Sequence, residues 1–459
     1  MSVTRQLAAY AASGSFDDLP EQTVYRTKLA ILNILGAAMG GRGTKVGHHH
    51  MNLARATGGG VSDATLWGSD QKLSVPMAVY ANASLAFALD YEDVVHYCIH
   101  AGPVTVPAAL AIGEKTHASG RDVILAIERA YEIGTRIGLA MQPSAERGAQ
   151  VWGQQYTPFA PCIAASRLLG LSAEQIDVAM GVTGTYCLVP SAYKYFGIVD
   201  ETRPIREAKL GWGWMALGGV FGALSAAEGL QGGQGILDGD EGFWIMSGSD
   251  NCDFEVMTRD LGKTHMIDDT MYKVHPSIAW NHPPFVAIAE LKRTTGFTAA
   301  DVDRVTIKGL GAARIADYAP AGEVDAMFSL PYTAALTILG DPLLPEMYSD
   351  DRRLSEPVQA LLKRITIEED LETELAWFNE HRMCHQVTIR LKDGRELYKD
   401  VEFPRDKPNI GWNELEQKFR ALAASSLPPD QIDAAVEVLA NLENCADISE
   451  LVVLLSKTR

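Results

Sequence analysis

The hydrophobic residues of this chain change their repeat twice, and that change limits the folds open to it. Over roughly the first 260 residues apolar side chains recur at i, i+3 and i+4, the spacing of amphipathic helices. PEQTVYRTKLAILNILGAAMGG (20–41), VPMAVYANASLAFALDYEDV (75–94), PVTVPAALAIGEKTH (103–117), RDVILAIERAYEIGTRIGLAM (121–141) and ASRLLG (165–170) all read this way. SAEQIDVAMGV (172–182) adds a capping box, Ser172 with Gln175. LGWGWMALGGVFGALSAAEGL (210–230) is apolar nearly all round, which predicts a buried helix at the centre of a bundle. After about residue 265 the period falls to two: VDRVTIKGL (302–310) reads as a strand, and HQVTIRLKDGRELYKDVEF (385–403) as two strands about an Asp-Gly turn. Helical spacing returns at Trp412. The expected fold is mainly α. A large all-helical domain is built from both chain ends, 1–267 and 403–459, with a smaller inserted α+β lid domain over 268–402.

Charge narrows the function. Forty Lys and Arg against 58 Asp and Glu leave a net charge of −18, with no basic run to attract phosphate backbones or anionic lipid. Nucleic acid and membrane are therefore not expected partners. The N-terminus lacks the continuous apolar stretch of an export signal. Six scattered cysteines (98, 162, 187, 252, 384, 445) form no CxxC pair. Reduced thiols in a cytoplasm are the expectation. Gly309-Leu-Gly311-Ala-Ala-Arg314 follows a strand but has arginine at the third glycine position of a dinucleotide fingerprint. His48-His49-His50 has no carboxylate or thiol at ligand spacing, so a solvated or capping histidine run is expected and no metal.

An acidic protein that handles anions must concentrate its cations locally. Three segments place polar residues in apolar sequence. AFALDYEDVVHYCIHAGPVTVPAALA (86–111) sets Asp90, Glu92, Asp93, His96 and His100 at a helix end and in the following turn, with Asp90 and Asp93 expected on one helix face. These are acid–base residues, although the same carboxylates could simply solvate a helix end. ETRPIREAKLGWGW (201–214) brings Arg203, Arg206 and Lys209 to a helix start, where cations oppose the macrodipole unless an anion binds, or unless the turn is only solvated. MYKVHPSIAWNHPPFVAIAEL (271–291) interleaves Lys273, His275 and His282 with prolines at the change of pattern.

Six ordered blocks together resemble the MmgE/PrpD family, which includes 2-methylcitrate dehydratase, cis-aconitate decarboxylase and iminodisuccinate epimerase. They are ALDYEDVVHYCIHAGPVTVPAALA, AASRLLGLS, GGQGILDGDEGF (232–243), YKVHPS, MFSLPYTAAL (327–336), and VTIRLKDGR with the later KFRALA. The resemblance covers essentially the whole chain. It implies a helical domain with a smaller lid, an active site in the cleft between them, a homodimer, and catalysis without metal or organic cofactor. Position by position, the family's aspartate falls on Asp90, its histidine on His100, its FKxYP lysine on Lys273 and its SxxY tyrosine on Tyr332. The family's KxxHxG lysine aligns within one residue of Lys209.

The chain also departs from the family pattern. Val94 stands for the family threonine, Gly211 for the KxxHxG histidine and His275 for the KxYP tyrosine. The W-H-P-T segment has become VWGQQYTPF (151–159), so Trp152, Gln155 and Tyr156 replace an ionisable histidine by neutral groups. That exchange favours an acid less charged than, or shaped differently from, cis-aconitate or 2-methylcitrate. The resemblance implies removal or return of charge at a carbon next to a carboxylate, with Lys273, Lys209, Arg203 and His100 stabilising an enediolate. His100, oriented by Asp90, is the expected base or acid and Tyr332 a second acid, while Arg203, Arg206, Tyr156, Gln155 and His275 are the expected substrate contacts. The expected activity is that of a hydratase or dehydratase on a small carboxylic acid. An epimerase, a decarboxylase or a catalytically silent carboxylate-binding protein are the alternatives.

Overall fold

In a computed structural model, residues 2–96, 99–152, 155–187, 191–192, 203–342 and 344–456 are described, with the backbone alone for Trp152, Ser191, Ala192, Ala312 and Ala313. Cys98 and the Trp152 side chain lie outside that description.

The protein is mainly α. The helices Glu21–Arg42, Val75–Phe87, Gly102–Thr116 and Gly120–Ala140 form a layered core with Phe159–Leu168, Ala173–Thr185 and Gly213–Ala227. Close approach depends on small residues. A Cβ on Gly219 would lie 2.2 Å from the Pro158 carbonyl oxygen, and one on Gly222 would lie 2.0 Å from Thr183 Oγ1. The Ser172 capping box is present, with the Ser172 N–H donating to Gln175 Oε1 (2.9 Å). From the far end of the chain, Trp412–Ala423 packs on Glu21–Arg42. Of the six cysteines, 162, 187, 252, 384 and 445 are free thiols.

One expectation fails in an informative way. The Gly213–Ala227 helix is buried on one face, through Gly213, Ala216, Leu217, Gly219, Val220, Gly222, Ala223 and Ala226. Trp214 and Phe221 are half exposed, at 52% and 50%. Period 3.6 leaves them, with Gly218, on the opposite side from the buried residues. Among the described residues, the stretch Glu207–Ala227 is the one helix long and apolar enough, by length and composition, to cross a membrane.

The period-two segments form a four-stranded sheet in the order Glu396–Phe403, Met383–Leu391, Val302–Gly309, Ile365–Glu368. The first two pairings are antiparallel and the last is parallel. Asp393 and Gly394 turn the hairpin, with Gly394 at φ +91°. Val305, Ile307, Val387 and Ile389 point inward in alternation, and the His282–Thr295 helix covers that face. The fourth strand carries no separate period-two signal because Ile365–Glu368 is only four residues long.

A smaller pairing positions the site. Asp93–Val95 runs antiparallel to Thr270–Tyr272, in the register Asp93↔Tyr272, Val94↔Met271 and Val95↔Thr270. The expected helix through residue 94 therefore ends early, at Phe87, and Asp93 lies on a strand rather than on a helix face shared with Asp90.

Candidate active site

Beyond Phe87 the chain turns sharply. Asp90 adopts the left-handed conformation, φ 48°, which an Asx side chain tolerates better than most, and its N–H donates to the Phe87 carbonyl (2.9 Å). The turn leads into extended chain, where alternate side chains share a side. Asp90 and Glu92 both face the same neighbour, Lys273. Backbone bonds from Lys273 N–H to the Glu92 carbonyl (3.1 Å) and from Ser277 N–H to the Asp90 carbonyl (3.1 Å) extend the small pairing to this point.

Lys273 Nζ donates to Asp90 Oδ1 (2.5 Å), the Asp90 carbonyl (3.1 Å) and Glu92 Oε1 (2.7 Å), with its side chain fully buried. An ammonium has three donors, and all three are used. Burial disfavours the charge, but Asp90 and Glu92 outweigh it and raise the pKa. Glu92 is likewise penalised by burial yet held at about 2 by Lys273 and His100. Lys273 thus holds two carboxylates in place, a different task from the expected one of neutralising substrate charge.

His100 Nδ1 lies 2.7 Å from the same Glu92 Oε1. The ring is walled by Phe87 (centroids 5.3 Å apart) and Trp212 (4.8 Å). Burial lowers its pKa, with Glu92 opposing. Neutral imidazole donates Nδ1–H to the carboxylate and leaves a lone pair on Nε2. The carboxylate that orients His100 is Glu92, where sequence reasoning expected Asp90; Asp90 is bonded to Lys273 instead. The signal for Glu92 was the two-residue spacing from Asp90, meaningful only once the segment is known to be extended.

Lys209 completes the cluster from the short turn Glu207–Leu210. Its Nζ lies 5.3 Å from the Phe87 ring centroid and 5.2 Å from that of Phe328. Burial lowers its pKa to about 8, with Asp90 opposing and Lys273 adding to the fall. Behind the cluster, Asp93 accepts from Tyr131 Oη (2.7 Å) and the Gly102 N–H (3.2 Å), and burial raises its pKa to about 7. Gly102 has no room for a side chain: a Cβ would sit 2.4 Å from Asp93 Oδ1 and 2.5 Å from Tyr131 Oη.

The remaining expected site residues lie elsewhere. Tyr332 is buried with its hydroxyl donating to the Met347 carbonyl (2.5 Å), a helix-anchoring bond. Arg203 is paired with Asp317 (3.3 Å) and Asp325 (3.5 Å), so it meets carboxylates of the protein itself. Arg206 is exposed at a 550 Å³ cavity shared with Lys45, Glu323 and Asp350. His275 packs on Phe285 (4.0 Å) and lines a separate 460 Å³ cavity with Val286, Glu290 and Arg293; burial lowers its pKa to about 3. Tyr156 is buried beside Ile99, both within 3 Å of where a Gly138 Cβ would stand, one residue from His100. Gln155 is buried, its carbonyl accepting from Cys187 Sγ (3.3 Å). In the histidine run, His49 bonds Glu207 (2.6 Å) and His50 bonds Tyr80 Oη (2.8 Å). Among the described residues no group of three His, Cys, Asp or Glu side chains is arranged to hold a metal ion.

Comparison with known proteins matches both halves of the chain to one family. The MmgE/PrpD N-terminal domain matches residues 5–255 and the MmgE/PrpD C-terminal domain residues 275–444. The chain belongs to the MmgE/PrpD family. Among curated family members, the cis-aconitate decarboxylase of Homo sapiens is 23% identical, covering 99% of this chain and 94% of the human protein. That of Mus musculus is 25% identical over 99% and 93%, and that of Aspergillus terreus 24% over 99% and 96%. The whole-chain resemblance read from the six blocks is borne out.

Proposed function

We propose that this protein is a lyase that moves a proton at the carbon next to a carboxylate of a small carboxylic acid, most simply as a hydratase or dehydratase. The observation that carries the reading is the buried His100–Glu92–Lys273 chain. Burial keeps His100 neutral at pH 7, and a neutral imidazole backed by a carboxylate is a base. His100 Nε2 takes the α-proton and the electron pair passes into the enediolate. The C–O bond to the β-hydroxyl then breaks, and the leaving hydroxide takes a proton from Lys209, charged below about pH 8, to depart as water. The aromatic walls exclude water, which strengthens each charge interaction. The reaction needs no cofactor as written.

The charge balance bears on substrate choice. Lys273 is committed to Asp90 and Glu92, which supports an acid with fewer carboxylates than a tricarboxylate. A second reading, decarboxylation, is favoured by the relatives' names; there the carbanion forms by loss of CO₂ and Lys209 protonates it. The residues 268–402, carrying Lys273 and the sheet, are proposed to act as a lid on a helical body formed by 1–267 and 403–459. The half-exposed Trp214 and Phe221, with the family resemblance, support a homodimer.

The test is a panel of β-hydroxy di- and monocarboxylic acids together with cis-aconitate, incubated in heavy water and followed by proton NMR. Alkene formation from a β-hydroxy acid is the expected result. Release of CO₂ from cis-aconitate with no turnover of any hydroxy acid replaces dehydration by decarboxylation, inversion with deuterium uptake and no alkene replaces it by epimerisation, and binding without proton exchange removes the enzymatic reading.

A further inference from the structure

The Trp412–Ala423 helix places one half-buried lysine, Lys418, with its Nζ behind the cluster. Its Nζ donates to Asn33 Oδ1 (2.8 Å), the Tyr91 carbonyl (2.5 Å) and the Lys273 carbonyl (3.2 Å). It also stands 3.5 Å from the centroid of the Tyr91 ring. All three hydrogen-bond partners are oxygen acceptors, so the three donors of an ammonium are matched. None is a carboxylate; burial pushes its pKa well below the usual lysine range, and Glu92 and Asp93 oppose that only through space. A buried cation met only by neutral groups costs more than an aliphatic side chain of the same length in the same helix contact. Packing alone would be served better by methionine.

What the ammonium gains is a grip on two peptide groups. The Tyr91 carbonyl belongs to the peptide that leads into Glu92, and the Lys273 carbonyl to the peptide that leaves Lys273. Tyr91 Oη adds a bond to the Val274 carbonyl (3.2 Å). One side chain therefore reinforces the backbone bonds that hold the turn bearing Asp90 and Glu92 against the segment bearing Lys273. On that separation depend the 2.7 Å contacts that Glu92 Oε1 makes with Lys273 and with His100. We propose that Lys418 is a positioning residue for the proton-transfer cluster, setting the Glu92–His100 hydrogen bond from the C-terminal helix. The inference rests on the reading of His100 as the base.

The experiment needs no substrate for its first part. In protein labelled with ¹⁵N-histidine, the buried Nδ1–H of His100 is assigned by its loss in His100→Gln and then followed in Lys418→Met, Lys418→Gln and Asn33→Ala. The expected result is a lost or upfield-shifted Nδ1–H resonance in Lys418→Met and Lys418→Gln, and a smaller shift in Asn33→Ala, which leaves both carbonyl contacts in place. In the second part, turnover of the substrate found by the panel falls ~10- to 100-fold in kcat with little change in KM, as expected when a supporting contact is lost and reacting groups drift by a fraction of an ångström. Lowered thermal stability with an unchanged resonance and unchanged turnover per folded molecule would make Lys418 a packing residue and overturn the proposal. Should Lys418→Met not fold, Asn33→Ala and Lys418→Gln carry the same two readouts. If no acid in the panel reacts, the lyase reading fails while the resonance still decides the role of Lys418.

Discussion

Replacing Glu92 by Gln removes one charge at the centre of the cluster and leaves its shape. Glu92 Oε1 accepts from both Lys273 and His100 at 2.7 Å, and a glutamine oxygen can accept from both in the same place. What is lost is the carboxylate charge beside His100. A hydrogen bond to a charged group contributes about 1.5–3 kcal/mol against about 0.5–1.5 for a neutral one, so roughly 1–1.5 kcal/mol of support for the imidazolium is lost and the His100 pKa should fall. The direction follows from the causes: burial already lowers it, and Glu92 is the first contribution that opposes burial. Because the base works in its neutral form, the acid limb of the kcat/KM profile should move to lower pH. Turnover on the plateau should also fall, by about 10²- to 10⁴-fold, since an amide can equally donate to Nδ1 and shift the ring to the tautomer whose Nε2 carries the proton. Histidine NMR titration and the pH–rate profile together read both effects. An acid limb that stays put, or moves to higher pH, would refute Glu92 as the partner of His100.

Three further outcomes follow from the same geometry. Lys273→Met should cost roughly 3–5 kcal/mol in urea unfolding, because Asp90 and Glu92 are left as uncompensated buried charges, and combining it with Asp90→Asn and Glu92→Gln should restore stability but not turnover. The alkaline limb of the rate profile should lie near pH 8, where Lys209 loses its proton, and should vanish from the measurable range in Lys209→Arg along with most of the activity. Gly102→Ala should lower stability by about 2–4 kcal/mol by forcing Asp93 off Tyr131, read as a shifted urea midpoint, whereas a midpoint equal to wild type would mean that the Asp93–Tyr131 pair yields without cost.

Much of the fold could be read in advance because periodicity records burial directly. Helices such as Gly120–Ala140 and the Met383–Leu391/Glu396–Phe403 hairpin fall where apolar spacing and the Asp-Gly turn put them. The Asp93–Val95 strand was hidden because three residues are too few for a period, and the local pattern of 86–94 continues the preceding helix. The Gly213–Ala227 helix misled for another reason: composition alone cannot separate a helix buried all round from one with a single glycine-lined contact face. At the site, residue types and the family resemblance singled out Asp90, His100, Lys209 and Lys273, which the structure brings together. Partnerships could not be told, because Glu92 meets Lys273 only through a strand pairing between distant segments. Tyr332 and Arg203 carry suitable chemistry but are bonded to a carbonyl and to two aspartates, neighbours the sequence does not display.

Deuterium exchange tests the central claim, that His100 moves a proton at the carbon next to a carboxylate. A saturated acid that lacks the β-hydroxyl but otherwise matches the best substrate of the panel is incubated in heavy water with wild-type enzyme and with His100→Gln, and its α-carbon signal is followed by NMR. Wild type should exchange the α-proton without forming alkene, and His100→Gln, folded and binding the acid equally, should exchange it at least ~100-fold more slowly. Equal exchange rates in the two proteins would contradict the account and assign the proton transfer to another group.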